Sequence, residues 1–169
     1  ENTDQTVVNE ADSTGAIQEF DILPALNAVY AVTDQMNVRA AYGRTLARAS
    51  FREFAPFAYY DFLNNQITLG NADLERTLVD NVDVRWEWFL RPGELLAVSG
   101  FFKNFRGAIV QQLNPGAVNR EVSFDNVDAR VFGAEFEARK RLDTVADVLR
   151  HVEVGGNFTL TYSQADIDP

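Results

Sequence analysis

Aromatic and amide side chains are concentrated between residues 51 and 66, in a combination suited to binding a small organic molecule. The stretch contains Phe51, Arg52, Phe54, Phe57, Tyr59, Tyr60, Phe62, Asn64, Asn65 and Gln66. Exposed rings supply area for stacking on a hydrophobic chelate or a sugar ring, and amides supply orientation. We therefore predict ligand contacts from Tyr59, Tyr60, Phe62, Asn64 and Asn65. The alternative is that these rings only pack the loop against its neighbours.

The other polar residues do not form a recognisable catalytic or metal site. The sequence contains no GxSxG-type nucleophile for which the single His, His151, could act as general base. Glu135 and Glu137 are better explained as residues on the water-exposed face of one strand than as the two carboxylates of a glycosidase. Residues 125–128 lack the ligand spacing of a calcium loop. The chain has no Cys, so thiolate chemistry is excluded. We expect no catalytic residue, no cofactor and no metal, and thus no enzyme.

Composition sets the class of protein. The 169 residues, 46% of them hydrophobic, are enough for one ordinary domain. A formal charge of -10 without a cluster of Lys and Arg argues against nucleic-acid binding. No apolar run approaches the roughly 18 residues that a membrane helix needs, whereas the strands of a membrane β-barrel need only about 10 residues of alternating hydrophobicity.

Alternation with a period of two residues predicts six strands. They cover residues 20–32, 36–44, 79–90, 95–106, 125–141 and 152–165. In the third, the apolar even positions alternate with Asp83, Arg85 and Glu87, and we expect this polar row to continue through Arg39 on the neighbouring strand.

The segments between these strands alternate in length. Residues 33–35, 91–94 and 143–150 are short or medium links, the last predicted to form one or two helical turns capped by Asp143. The long segments are 1–19, with a turn at Ser13 to Gly15 and a short strand end near 6–8, then 45–78, and 107–122 with the loop signal Asn114-Pro115-Gly116.

The strand order predicts an all-β fold, an antiparallel up-and-down meander with every long loop at one end. Outer-membrane barrels have this arrangement, whereas soluble sandwiches usually divide long connections between both ends. Trp86 and Trp88 precede a short turn, and Tyr42 and Tyr162 lie near the long-loop end, as the two aromatic girdles of a membrane barrel would. The alternative is that these rings belong to the core of a soluble sheet.

The most distinctive stretches lie in order between Ile22 and Ser163. They are LPALNAVYAVTDQMNVRAAYGRTLARASFREFAP, GNADL, DNVDVRWEWFLRPGELLAVSGFFKNFRGAI, GAEFEARKRL and GGNFTLTYS. Together they closely resemble the barrel of TonB-dependent outer-membrane receptors. Ala49, Ala72 and Arg76 stand where that family frequently has Pro, a difference that affects loop rigidity.

The resemblance implies a segment of a large transmembrane barrel, spanning residues 1–169, in a receptor located in the bacterial outer membrane. It implies uptake of a scarce nutrient such as a ferric siderophore, cobalamin or a glycan, with three partners: that ligand, the lipid bilayer and the TonB complex. We expect the plug domain, the TonB-contacting segment and the closing strand to lie outside this sequence, which begins at Glu1 as a processed or excised piece.

Two other interpretations remain open. A soluble cell-surface β-sandwich that binds a ligand would explain the acidity. An outer-membrane barrel enzyme, such as a lipase or protease, would need a nucleophile and base pair that the sequence does not offer. An isolated six-stranded piece would expose two unpaired edges and is expected to associate or rearrange.

Overall fold

The computed structural model describes residues 2–8, 14–114 and 120–166. In chain order its elements are β1 (Asn2–Val8), β2 (Thr14–Phe20), β3 (Ala25–Thr33), β4 (Met36–Ala47), α1 (Phe51–Phe54), β5 (Ala58–Asp61), β6 (Gln66–Leu69), β7 (Thr77–Arg91), β8 (Glu94–Leu113), β9 (Glu121–Arg141) and β10 (Glu153–Asp166). The strands β3, β4, β7, β8, β9 and β10 pair antiparallel in that order, and this open meander confirms the predicted architecture.

The two faces of the meander differ as the alternation predicts. One continuous row across it contains Tyr30, Val38, Trp86, Val98, Phe136 and Phe158, all on the even-numbered face. Trp86 and Trp88 on this face have ring centroids 6.2 Å apart. These apolar side chains are not covered by the chain, since Val98, Phe136 and Phe158 are 45%, 44% and 61% exposed. The even face therefore requires an apolar environment outside the sheet, such as lipid.

The odd-numbered face carries a network of ion pairs across neighbouring strands. Arg39 on β4 contacts Glu87 on β7 at 2.6 Å, and Arg85 contacts both Glu87 at 3.0 Å and Glu137 on β9 at 2.7 Å. Arg85 also donates to the Ser99 hydroxyl on β8. The predicted polar row through Arg39 is thus confirmed, because Arg39 pairs with Glu87 on the adjoining strand and Arg85 extends the network across β8 to Glu137.

The prediction for residues 1–19 was wrong for most of this segment, although a strand does cover residues 6–8. They were expected to form a loop with a strand end near 6–8. Instead, β1 and β2, of seven residues each, pair antiparallel as a hairpin. Of the predicted turn, Thr14 and Gly15 belong to β2, and Ser13 lies outside the described residues. Consequently Phe20 ends β2, and the first meander strand begins at Ala25 instead of residue 20. Main-chain pairing does not depend on apolar alternation, so a hydrophobic pattern could not reveal this hairpin.

The prediction of a long connection over 107–122 was also wrong, because β8 continues to Leu113 and β9 already begins at Glu121. A register shift between Phe105 and Ala108 marks the point beyond which the β8–β9 hairpin extends past β7. There Gly107 has a φ of +64°, a conformation that glycine adopts readily. Of the predicted loop signal, Pro115 and Gly116 lie outside the described residues.

Residues 143–150 contain two short 3₁₀ turns, Leu142–Thr144 and Asp147–Leu149. The expected cap at Asp143 was wrong, since Arg141 precedes the first turn and Asp143 lies inside it. Its carboxylate instead pairs with Arg91 across the neighbouring turn at 3.1 Å. The first turn thus begins at Leu142, before the residue that was expected to cap it.

Candidate functional site

The connection from β4 to β7, residues 48–76, is a folded unit that packs on the extended β8–β9 hairpin. We name it the docked loop. Its buried cluster consists of Ala49, Phe54, Ala55, Leu74 and, from β9, Phe124, with Ile109 of β8 packed against it. Phe54 is only 2% exposed, and burying such a ring contributes roughly 1.5–3 kcal/mol. The long connection predicted over residues 45–78 is therefore folded, and α1, β5 and β6 within it were not predicted.

Local sequence explains the first turn of the docked loop. Ser50 precedes α1, and its N–H donates to the Glu53 carboxylate at 2.6 Å, one half of a capping box. The two Phe residues of this single helical turn have different environments. Phe54 enters the buried cluster, whereas Phe51 stays 66% exposed.

The docked loop adds strands to the outer part of β9. β6 pairs in parallel with residues 121–123, and β5 pairs antiparallel with β6. The Asn71 amide donates to the Phe124 carbonyl at 3.0 Å beside this pairing. Gly70 lies so close to the Ala55 backbone that an added Cβ would stand 1.9 Å from its carbonyl oxygen. Only glycine fits at this position, directly after β6.

Polar contacts fix both ends of the docked loop. Asp21, 7% exposed, accepts from Arg76 at 2.6 Å and lies 3.6 Å from Arg48, so one carboxylate joins the two ends. The Asn126 side chain on β9 accepts from the Glu75 N–H at 2.7 Å and donates to the Gly107 carbonyl at 2.7 Å. Asp21 therefore joins the two ends of the loop to each other, and Asn126 anchors the second end to β9.

An open cleft of about 490 Å³ lies on the outer side of the docked loop. It is lined by Phe51, Arg52, Phe57, Tyr59, Tyr60, Asp61, Phe62 and Leu63. The Arg52 guanidinium lies 5.7 Å above the Tyr59 ring centre, and the Tyr60 and Phe62 rings meet edge to face at 4.9 Å. Exposed rings beside one guanidinium and one carboxylate are suited to a flat or aromatic ligand.

The turn from β5 to β6 holds these rings in place. Asp61 accepts from the N–H groups of Leu63 and Asn64 and from the Asn64 amide at 2.7 Å. The Asn64 amide hydrogen bond lowers the pKa of the Asp61 carboxyl. Asn65 has a φ of +51°, a left-handed conformation that Asn tolerates, and accepts from the Tyr60 hydroxyl. The two Asn side chains thus shape the turn.

The predicted site residues fall into two groups. Tyr59, Tyr60 and Phe62 line the cleft, whereas Asn64 and Asn65 stand in the turn beside it with their side chains already bonded within the loop. The prediction did not include the wall formed by Phe51, Arg52, Phe57, Asp61 and Leu63. The aromatic spacing contained the signal for Phe51 and Phe57, but only the fold brings their rings to 6.4 Å.

The remaining candidates have structural partners. His151 is exposed and accepts a hydrogen bond from Arg150, consistent with a surface residue. Glu137 is bonded to Arg85 and Arg139 in the ion-pair network. Asp128 accepts from the Gly107 N–H, and Asn126 anchors the docked loop.

Comparison with known proteins decides what this sheet is. The family model for the TonB-dependent receptor-like β-barrel matches residues 1–169. The chain belongs to the TonB-dependent receptor family. Receptors of this family are outer-membrane transport proteins, and this assignment does not support the soluble sandwich. No helix of the described residues is long and apolar enough to cross a membrane. No curated protein matches the chain.

Solved receptor structures share the fold. The siderophore receptor PirA from Pseudomonas aeruginosa has 20% identity and a TM-score of 0.65, and the match covers 91% of this chain and 29% of PirA. The ferric enterobactin receptor PfeA from the same species, in a complex of its Q482A variant with enterobactin, has 18% identity and a TM-score of 0.57 over 75% of this chain and 20% of PfeA. The chain therefore spans less than a third of the length of these receptors.

Proposed function

We propose that the receptor containing this chain imports a ferric siderophore across the outer membrane by TonB-coupled transport, and that the aromatic cleft of the docked loop contacts the ligand. The observation that supports this proposal most directly is the cleft, which is lined by Tyr59, Tyr60, Phe62 and Arg52, with the Arg52 guanidinium over the Tyr59 ring. Ferric chelates with aromatic surfaces match this lining, because the exposed rings offer stacking area and Arg52, which shares the cleft with Asp61, offers a guanidinium to a negatively charged group.

The fold supports this role through the position of the cleft. The docked loop lies at the end of the sheet opposite the short turns that join β3 to β4 and β7 to β8, and in outer-membrane barrels the end opposite the short turns is extracellular. The structures with which the chain shares its fold are described as a siderophore receptor and a ferric enterobactin receptor. Transport, the TonB complex and the bacterial outer membrane as location are proposed on family membership.

The test uses the full-length receptor in an iron-starved strain that lacks its other siderophore receptors. Tyr59→Ala/Tyr60→Ala is expected to lower ferric-siderophore affinity and uptake about tenfold or more, since loss of each stacked ring costs roughly 1 kcal/mol. Phe102→Ala, an aromatic change on the lipid-facing side, is the matched control. Unchanged uptake by a correctly assembled double variant would refute the role of the cleft.

A further inference from the structure

The aromatic cleft of the docked loop encloses the outer edge of β5. Tyr59 and Tyr60 are consecutive residues of this strand, so their side chains project from its opposite faces. Both nevertheless line the same cleft. The Arg52 guanidinium lies over the Tyr59 ring on one side, and Phe62 meets the Tyr60 ring on the other. The two walls of the cleft therefore stand on either side of the strand, and the main chain of β5 lies between them.

The hydrogen bonds of β6 show which main-chain groups of β5 point into the cleft. β5 pairs antiparallel with β6, and Tyr60 is the register partner of Ile67. The Ile67 N–H donates to the Arg120 carbonyl at 2.9 Å, so it points away from β5. In an antiparallel pair, two opposed residues exchange either both of their hydrogen bonds or neither. Tyr60 therefore directs its N–H and C=O groups away from β6, and Ala58, two residues before it, does the same.

These groups lie on an open strand edge. Within the residues that the structure describes, β6 is the only strand that pairs with β5, and Ala58 and Tyr60 are both exposed. Open edges are commonly blocked by Pro, by Lys or by a bulge, and β5 has none of these over its four residues. Its one charged side chain, Asp61, is bonded to Asn64 within the turn. The edge can therefore accept another extended chain, to which it offers two N–H and two C=O groups.

We propose that the edge of β5 binds an extended peptide segment of the ligand by strand addition. This inference rests on the proposed function and narrows its ligand to a ferric chelate that carries a linear peptide chain. Main-chain hydrogen bonds to Ala58 and Tyr60 hold this chain in the cleft. Since side chains alternate along an extended peptide, successive ones face the Tyr59 wall and the Tyr60 wall.

The spacing of the two outward-pointing residues sets the length of peptide that the edge can bind. Such groups recur at every second residue of a strand, about 6.6 Å apart. Pairing with both Ala58 and Tyr60 thus requires three consecutive extended residues in the ligand. A chelate without an extended segment of this length contacts only the rings.

Titration of the detergent-solubilised full-length receptor with two synthetic probes tests this proposal. Both probes are ferric catecholate chelates joined to tetra-alanine, and in one of them the peptide nitrogens are methylated. Methylation removes the N–H donors that strand pairing uses. The unmethylated probe is therefore expected to bind about tenfold more tightly, which corresponds to roughly one or two net hydrogen bonds. Equal affinities of the two probes for the wild-type receptor would overturn the proposal.

A substitution in the strand edge tests the same contact from the side of the protein. Ala58→Pro removes an outward-pointing N–H group and breaks no hydrogen bond between β5 and β6, because Ala58 and its partner Leu69 do not exchange one. The variant is expected to bind the unmethylated probe about tenfold more weakly, and methylation should then cost little further affinity. Additive losses from the two changes would contradict pairing at Ala58.

The two Tyr residues separate a failure of this inference from a failure of the proposed function. If both probes bind equally well and Tyr59→Ala/Tyr60→Ala weakens both, the cleft contacts the chelate but β5 adds no strand. If neither probe binds, or if that double variant leaves both affinities unchanged, the proposed function fails and this inference fails with it. Because the two probes are compared on the unaltered receptor, the decisive result does not depend on the assembly of a variant.

Discussion

The sheet at membrane height and the docked loop above it are built by different kinds of interaction. In the sheet, each residue pairs with neighbours on consecutive strands, and an even-odd alternation assigns it to the lipid-facing or inner side. In the docked loop, residues near 54, 74 and 124 meet in one cluster. The first region is specified by local periodicity, and the second by contacts between distant segments.

The largest effect is expected from a substitution in the buried cluster of the docked loop, which should affect this region and not the sheet. Phe54→Ala should destabilise docking by about 3–5 kcal/mol, because it leaves a cavity among Ala49, Leu74 and Phe124. The amides of β6 should then exchange hydrogen much faster, while those of β7 at membrane height keep their protection. Leu63→Ala, at a side chain 97% exposed, is the control. Equal loss of protection in both regions would show that they are one cooperative unit.

A charge on the lipid-facing side tests the other region. Val84, 49% exposed on the even face, lies between the Tyr42 and Trp86 rows. Val84→Arg should lower the free energy of unfolding of the full-length receptor in lipid vesicles by about 2–4 kcal/mol. Ala41→Arg, beside Asp83 on the opposite face, should cost much less. Similar losses for the two variants would contradict the assignment of faces.

Asn126 links the two regions, so its loss should have an intermediate effect. Asn126→Ala removes its hydrogen bonds to Glu75 and Gly107 and should weaken docking by about 1–3 kcal/mol. Ligand affinity measured by titration calorimetry should fall while barrel assembly in the membrane is unchanged. Gln112→Ala, which removes a long 3.4 Å contact to Asp125 on the same hairpin, should leave affinity unaffected.

The smallest expected effect concerns the turn that holds the cleft rings. Because the folded-state pKa of Asp61 is lowered, the turn gains stability at pH values above about 3.9 and loses it as the pH falls through the folded-state pKa. Asn64→Ala removes the main cause and should raise the titration midpoint of the Asp61 carboxyl, followed by its ¹³C chemical shift. An unchanged midpoint would show that the amide hydrogen bond does not control this group.

Sequence reasoning succeeded where a contact repeats along a strand. The alternation from Val82 to Leu90 predicted β7, its two faces and the ion pairs with Arg39. It failed at the hairpin of β1 and β2, at the extension of β8 and at the docked loop. These features depend on backbone pairing and on the meeting of Phe54 with Phe124, which no local period encodes.

The same distinction applies to the cleft. Its rings at Tyr59, Tyr60 and Phe62 were recognisable as a cluster of residue types. The roles of Asn64 and Asn65 in the turn depend on hydrogen bonds to Asp61 and Tyr60 that residue types alone do not specify. Residue composition thus indicated a binding surface, and the fold determined which side chains remain available to it.

The central claim is that the docked loop adds β6 to the edge of β9 and in that position forms the binding cleft. The most direct measurement is disulfide formation in full-length Thr68→Cys/Val122→Cys, since these residues are register partners and the 169 residues of this chain contain no Cys. We predict complete cross-linking with ligand affinity within about twofold of the reduced form, since the bond only fixes the docked state. Absence of the cross-link, or cross-linking that abolishes ligand binding, would contradict the account.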